Sequence, residues 1–224
     1  MTRGILIAGT ESSLSAAIAV EAARRVETFA GAFIPNRLSE SGGGGVNDTV
    51  TKALIPLIWN PGSPISARSL TLAAENRLER IHEAILVCAP PSMYRRPEEL
   101  ISSDIDTIVN DYIKGWFFLV KELTARFKIH KSGTLVLVLS EISGGGKADS
   151  VDLAGPPVAA SFRALAQGVQ AASIGEPYDI LTFSSSEAGE DPAFAAFVFK
   201  TMEENNKRNT GKWHKFGKLG LFGR

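Results

Sequence analysis

The sequence predicts an α/β domain built on a parallel, doubly wound sheet. Short continuous apolar segments alternate with longer segments of helical spacing along nearly the whole chain, which is typical of strand–helix–strand units. The apolar segments have few polar residues between their ends, as expected for strands that are covered on both faces. With 224 residues, of which 44% are hydrophobic and 21% charged, the chain is long enough to bury one full core.

Six segments have the length and aliphatic content of buried strands. They are Gly4–Ala8, Phe29–Ile34, Leu54–Trp59, Ala84–Ala89, Thr134–Ser140 and Tyr178–Phe183. Five segments between and after them have helical spacing, an alanine-rich composition or prolines suited to a first turn. These are Leu14–Val26, a helix with Ser66 as its N-cap that extends to about Ile81, Asp104–Phe127, Pro156–Ser173, and Pro192 to about Asn206.

Residues 1–224 are expected to form a single domain with two less regular parts. Residues 39–47 form a polar loop that contains four consecutive glycines, and such a loop is too flexible to hold a binding geometry without help. Residues 207–224 form a tail in which cations alternate with aromatic side chains. We expect the tail to complete the fold or to dock on a neighbouring subunit, with Trp213, Phe216 and Phe222 buried.

Charge and cysteine content exclude several classes of function. Lys+Arg and Asp+Glu both number 24, so no global field attracts nucleic acid or a membrane surface, and binding to either is not expected. No run of 18 apolar residues is present, and the lone Cys88 lies in an apolar segment, which favours a cytoplasmic protein with one inert thiol. The three histidines are too far apart for metal-ligand spacing, so no metal site is expected.

Two motifs have the arrangement found in dinucleotide-binding proteins. The first is the turn after the first strand, Ala8-Gly9-Thr10-Glu11-Ser12-Ser13-Leu14-Ser15. The second is the strand that ends at Ser140, followed by three glycines and a helix of small residues. Together with the order of the elements, these motifs resemble the short-chain dehydrogenase/reductase family over nearly the whole chain. The resemblance implies a Rossmann-type sheet of about seven parallel strands with helices on both faces, in three layers.

The resemblance also implies a set of candidate cofactor-binding residues. Gly9 matches the first glycine of the family's Thr-Gly-x-x-x-Gly-x-Gly motif, whereas serines replace the other two. A basic residue after the second strand resembles the members that prefer NADP, whose arginine meets the 2′-phosphate. The candidates are Gly9, Thr10, Ser13, Ser15, Arg37, Asn60 and Ala89.

The catalytic positions depart from the family pattern. Ser140 matches the catalytic serine, and Tyr112 takes the position of the asparagine on the long helix. In the family's Tyr-x-x-Ser-Lys-x-Ala-Leu segment, however, Val158 replaces the tyrosine and Phe162 the lysine. No tyrosine or lysine lies between Lys147 and Tyr178 in any register. Pro90-Pro91 also stand where the family has Ala-Gly after the fourth strand, and a proline there removes space and a backbone donor.

These departures predict an oligomeric scaffold or small-ligand-binding protein that does not act as an oxidoreductase by the family's usual mechanism. The alternative is a divergent NADP-dependent reductase of carbonyl substrates, in which Tyr112 acts with Ser140 as a non-standard proton donor and Lys147 or Arg163 lowers its pKa. Whether the protein is an enzyme stays open, and the expected cofactor is NADP or none. In the family, the helices corresponding to Asp104–Phe127 and Pro156–Ser173 pair across a two-fold axis, which implies a homodimer or homotetramer.

Overall fold

The protein forms a three-layer α/β structure, described here from a computed structural model that covers residues 3–9, 12–34, 48–141, 151–187, 189–204 and 211–217. Seven strands form a single sheet in the order β3-β2-β1-β4-β5-β6-β7, and every neighbouring pair is parallel. The strands are β1 Ile5–Gly9, β2 Phe29–Phe33, β3 Leu54–Ile58, β4 Glu83–Cys88, β5 Thr134–Ser140, β6 Asp179–Ser185 and β7 Trp213–Phe216. The predicted Rossmann-type sheet with helices on both faces is confirmed.

Seven α-helices cover the two faces of this sheet. They are α1 Ser13–Ala23, α2 Asp48–Ala53, α3 Pro64–Leu78, α4 Ser102–Val109, α5 Gly115–His130, α6 Gly155–Ala172 and α7 Asp191–Glu203. Residues of α3, α5 and α6 share one buried cluster with one face of the sheet, and residues of α1, α2 and α7 share a second cluster with the other face. Burial of both faces explains why the central strands are continuously apolar.

The helix after β3 begins earlier than the sequence predicts. Ser63 is the N-cap, and its side chain accepts a hydrogen bond from the backbone N–H of Ser66 at 3.2 Å. Pro64 follows at the first helical position, where its fixed φ favours helix entry and its missing N–H costs nothing. The prediction of Ser66 as the cap was therefore wrong by three residues.

The long helix after β4 is interrupted. A π-helical turn, Asn110–Lys114, separates α4 from α5. At this point Gly115 packs against the loop after β3, because a Cβ on Gly115 would lie 2.5 Å from Cβ of Pro61 and 3.0 Å from the ring of Trp59. The spacing of apolar residues does not predict this turn, because it continues through the interruption.

The described part of the basic-aromatic tail adds β7 to the sheet. Completing the fold is one of the two roles that the sequence predicts for the tail. β7 pairs with β6, and the hydroxyl of Thr182 donates to the backbone carbonyl of Lys212 at 3.1 Å. Trp213 and Phe216 are half-buried, and Phe216 stacks on Phe194 with ring centroids 5.4 Å apart. Phe222 lies outside the described residues, and so does the predicted loop at residues 39–47.

Two properties of single elements complete the description. Cys88 is fully buried in β4, and burial raises the pKa of its thiol, which agrees with the expected inert cysteine. In the described ranges, no helix has both the length and the apolar character that crossing a membrane requires.

Candidate functional site

The carboxyl ends of three adjacent strands bring together the candidates that lie on the sheet. Gly9 ends β1, Ala89 directly follows β4, and Ser140 ends β5, in the spatial order β1-β4-β5. Ser140 is only 8% exposed. This edge of an open α/β sheet is where ligands bind in such folds. The parallel topology therefore gathers residues that are up to 131 positions apart in sequence.

The N-terminus of α1 is capped by serine side chains. Ser12 is the N-cap of α1, and its hydroxyl oxygen accepts from the backbone N–H of Ser15 at 3.1 Å and lies 3.0 Å from the hydroxyl of Ser15. A Cβ on Gly9 would lie 2.8 Å from that same Ser15 hydroxyl, which explains why a glycine stands there. Ser13 and Ser15 are thus at the first turn of α1 as expected, whereas Thr10 lies outside the described residues.

An acidic residue that the sequence analysis did not single out reaches this turn. The hydroxyl of Ser13 donates a hydrogen bond to Oδ2 of Asp191 in the first turn of α7. The two residues are 178 positions apart, so spacing along the chain gives no hint of the contact. A carboxylate therefore lies beside the N-terminus of α1.

Asn60 is bound into the loop after β3. The side-chain oxygen of Asn60 accepts from the backbone N–H of Gly62 at 3.0 Å, and the backbone N–H of Asn60 donates to the hydroxyl of Ser66 at 2.8 Å. These bonds form a side-chain-closed turn that leads into α3. The carbonyl side of the amide is thereby used within the loop. Arg37, the candidate partner of a 2′-phosphate, lies outside the described residues.

A second carboxylate joins the segment after β4 to the start of α6. Oδ1 of Asp152 accepts from the backbone N–H groups of Met93, Ala154 and Gly155 at 2.9, 3.1 and 3.0 Å. Burial opposes the charged form, but these three donors outweigh it and lower the pKa of the carboxyl. The N–H of Leu153 also donates to the carbonyl of Met93 at 2.9 Å. We call this set of contacts the Asp152 clasp.

An aromatic cluster occupies the part of α6 where the family has its catalytic pair. Val158 is 0% and Phe162 1% exposed. Phe162 meets Trp116 edge-on at a centroid distance of 5.5 Å, and Trp116 meets Trp59 at 5.5 Å. The indole N–H groups of both tryptophans are buried without a hydrogen-bond partner. These four residues belong to the core that packs one face of the sheet.

The remaining candidate acid, Tyr112, lies in the π-helical turn between α4 and α5. Its side chain is half-buried and packs against the same core cluster as Phe162. The π-helical turn also contacts α6. The side chain of Tyr112 therefore contributes to the packing of this core.

Arg163 is occupied by two other partners. Its guanidinium forms an ion pair with Glu141, the residue after Ser140, and lies 4.7 Å from the ring centroid of Trp213 in β7. Its charge is therefore neutralised locally rather than presented to a phenol. Lys147, the other cation considered for lowering the pKa of Tyr112, lies outside the described residues.

A separate cavity of about 620 Å³ lies at the amino ends of the strands, opposite the carboxyl ends where the candidates lie. It is lined by residues at the amino ends of β4, β5 and β6, with Arg3 beside them. The guanidinium of Arg3 is bound in a fork to Glu83 at 2.7 and 2.8 Å. None of the sequence-predicted site residues lines this cavity.

Comparison with known proteins finds relatives in structure but not in sequence. No family model matches the chain, and no curated protein matches it. Among solved structures, a protein described as a short-chain dehydrogenase/reductase family oxidoreductase from Aeromonas hydrophila superposes with a TM-score of 0.77 at 13% identity, over 96% of this chain and 99% of that chain. Levodione reductase gives a TM-score of 0.76 at 14% identity, over 96% and 95%.

A third structure shows a related protein with its cofactor. An NADH-dependent reductase complexed with NAD superposes with a TM-score of 0.69 at 15% identity, over 96% of this chain and 95% of that chain. At these identities the likeness concerns the fold, since one fold supports many functions. The chain has the fold of the short-chain dehydrogenases/reductases.

Proposed function

We propose that this protein is a non-catalytic homo-oligomer that keeps the short-chain dehydrogenase/reductase fold without the proton-transfer chemistry of those enzymes. The observation that carries the proposal is the burial of Val158 and Phe162 in an aromatic core. The two positions at which the family resemblance expects a phenol and an ammonium group carry only hydrocarbon.

The chemistry of carbonyl reduction explains why this matters. Hydride delivery leaves an alkoxide, which needs a proton from a positioned acid, and such an acid contributes about 10²- to 10⁴-fold in rate. A serine hydroxyl without a base or a cation beside it keeps its high pKa and cannot take over this role. Ser140 lies at the end of β5. Arg163, the cationic residue of α6, is paired with Glu141.

One face of α6 supports the oligomeric part of the proposal. The residues on it are small and exposed in the single chain, and a Cβ on Gly168 would meet nothing within 4 Å. They are Ala160, Ala164, Gly168, Ala171 and Ala172. Small residues spaced by about one helical turn allow another helix to approach closely. A second copy of this chain, related by a two-fold axis, is the occupant that such a self-complementary surface favours.

The helix beside α6 exposes a row of larger apolar side chains. Ile105 and Val109 of α4 and Phe117 of α5 are 48%, 42% and 50% exposed. Val109 and Phe117 are eight residues apart, which in an uninterrupted α-helix amounts to a rotation of roughly 80°. The wider π-helical turn between them reduces this rotation, so the apolar row continues from α4 onto α5. Exposed apolar rows of this kind mark interaction surfaces.

A turnover assay tests the catalytic part of the proposal. Purified protein is incubated with NADH or NADPH and a panel of aldehydes and ketones, and oxidation of the cofactor is followed by its absorbance. We expect no rate above the protein-free control. The opposite result would be a carbonyl-dependent rate that Ser140→Ala and Tyr112→Phe each abolish without unfolding the protein. That result would establish an alternative acid and support the divergent reductase instead.

A further inference from the structure

The N-terminus of α1 is already in contact with a negative charge from the protein itself. α1 has 11 residues, and the exposed N–H groups and dipole at the start of such a helix favour anions. In folds of this kind that position holds the diphosphate of a dinucleotide. Here Ser13, in the first turn, donates its hydroxyl hydrogen bond to the carboxylate of Asp191.

Asp191 is held in place by the packing of two helices. It lies in the first turn of α7, where the dipole of its own helix also favours a negative charge. α7 packs along α1, and Phe194 and Val198 share a buried cluster with Leu14 and Ile18. The packing of α7 on α1 therefore positions the two elements that carry Asp191 and Ser13.

A diphosphate that entered this turn would meet the carboxylate at close range. The two negative charges would repel each other, and the diphosphate would also compete with Asp191 for the hydroxyl of Ser13. The backbone N–H of Ser15 is likewise engaged, because it donates to the capping hydroxyl oxygen of Ser12 at 3.1 Å. Two donors that an anionic ligand could use, the hydroxyl of Ser13 and the N–H of Ser15, are thus already engaged within the protein.

We infer that Asp191 is a specificity-determining residue of this cleft, which excludes diphosphate-bearing ligands by placing its carboxylate at the anion-binding turn of α1. The inference deepens the proposed function, because it names the ligand class that the cleft rejects and the residue responsible. It is independent of the missing catalytic pair. Asp191 acts on binding, whereas Val158 and Phe162 concern proton transfer.

The test compares two charge-matched variants by calorimetric titration with inorganic pyrophosphate and with NADPH. Asp191→Asn removes the charge but keeps a carbonyl oxygen that can accept from Ser13. Glu190→Gln removes a neighbouring charge, and Glu190 is exposed and makes no side-chain cap bond to its helix. We expect Asp191→Asn to bind both probes at least 10-fold more tightly than the unmutated protein, and Glu190→Gln to change binding less than about 3-fold. Thermal unfolding checks that both variants are folded.

Three results would overturn the inference. They are an Asp191→Asn variant that gains no affinity, a gain of equal size in Glu190→Gln, and an unmutated protein that already binds either probe tightly. The failure of this inference differs from the failure of the proposed function. A variant that gains NADPH affinity but still reduces no carbonyl supports both, whereas a variant that gains affinity and then reduces carbonyls contradicts only the proposed function. Tight cofactor binding by the unmutated protein without turnover contradicts only the inference.

Discussion

Replacement of Phe162 by alanine measures how much this position, where the family resemblance expects the catalytic lysine, contributes to the core. The ring is 1% exposed and lies edge-on to Trp116 at 5.5 Å. Truncation of a buried phenylalanine to alanine typically costs about 3–5 kcal/mol in the free energy of unfolding. An aromatic pair contributes about 0.5–1.5 kcal/mol beyond area burial, so we expect the upper half of the range. A domain has roughly 5–15 kcal/mol in total, which makes this a severe loss.

A second variant at the same position separates core packing from a residual active site. Phe162→Lys restores the residue type that the family has there. If the position is core, lysine should destabilise the protein at least as much as alanine, because an ammonium group would be buried beside Trp116 without a partner. If the position still faces a polar cleft, the lysine would be tolerated.

Urea unfolding followed by tryptophan fluorescence and circular dichroism provides the assay, with the slope compared between variants. Asn76→Ala is the control, because Asn76 is exposed on α3, outside the proposed interface, and its loss should change stability by no more than about 0.5 kcal/mol. A Phe162→Lys variant within about 1 kcal/mol of the unmutated protein would refute the reasoning. The position would then be a polar site that phenylalanine happens to fill.

Two further predictions concern assembly and acid stability. The unmutated protein should sediment as a dimer or tetramer at tens of micromolar. Ala164→Glu should dissociate this oligomer by placing an unpaired carboxylate in the interface, whereas Asn76→Glu on the exposed face of α3 should not. A monomeric unmutated protein would contradict the prediction. Asp152→Ala should cost roughly 1–3 kcal/mol at neutral pH, because three backbone donors of the clasp lose their acceptor. Since the native pKa of Asp152 is lowered, its contribution is complete above the ordinary aspartate pKa of about 3.9 and declines as the pH falls below it. A stability difference between the two proteins that persists unchanged to pH 2 would contradict the assignment.

The regular part of the fold could be predicted because burial on both faces leaves a simple pattern. The ends of the six predicted apolar segments lie within two residues of the ends of β1–β6. The short helix Asp48–Ala53 and strand Trp213–Phe216 were missed. Both are short and have no distinct apolar period, and the strand depends on pairing with β6 for its stability.

The candidate site was less accessible to sequence reasoning, for a physical reason. The family resemblance expects the catalytic pair at Val158 and Phe162, but the packing of Phe162 on Trp116 depends on α5 and α6 meeting in the fold. The carboxylates of Asp152 and Asp191 act through partners 59 and 178 residues away. The only local hint for Asp191 is its place before a proline at a helix start, and that position is common in helices with no further role.

Titration of the unmutated protein with NADPH and with NADH tests the central claim most directly. The carboxylate at the first turn of α1, the serines at the glycine positions and the proline pair after β4 all oppose dinucleotide binding. Isothermal calorimetry should therefore show no binding or a dissociation constant weaker than about 0.1 mM, which corresponds to roughly −5.5 kcal/mol. A low-micromolar dissociation constant for either cofactor would contradict the account of a fold whose dinucleotide site is closed.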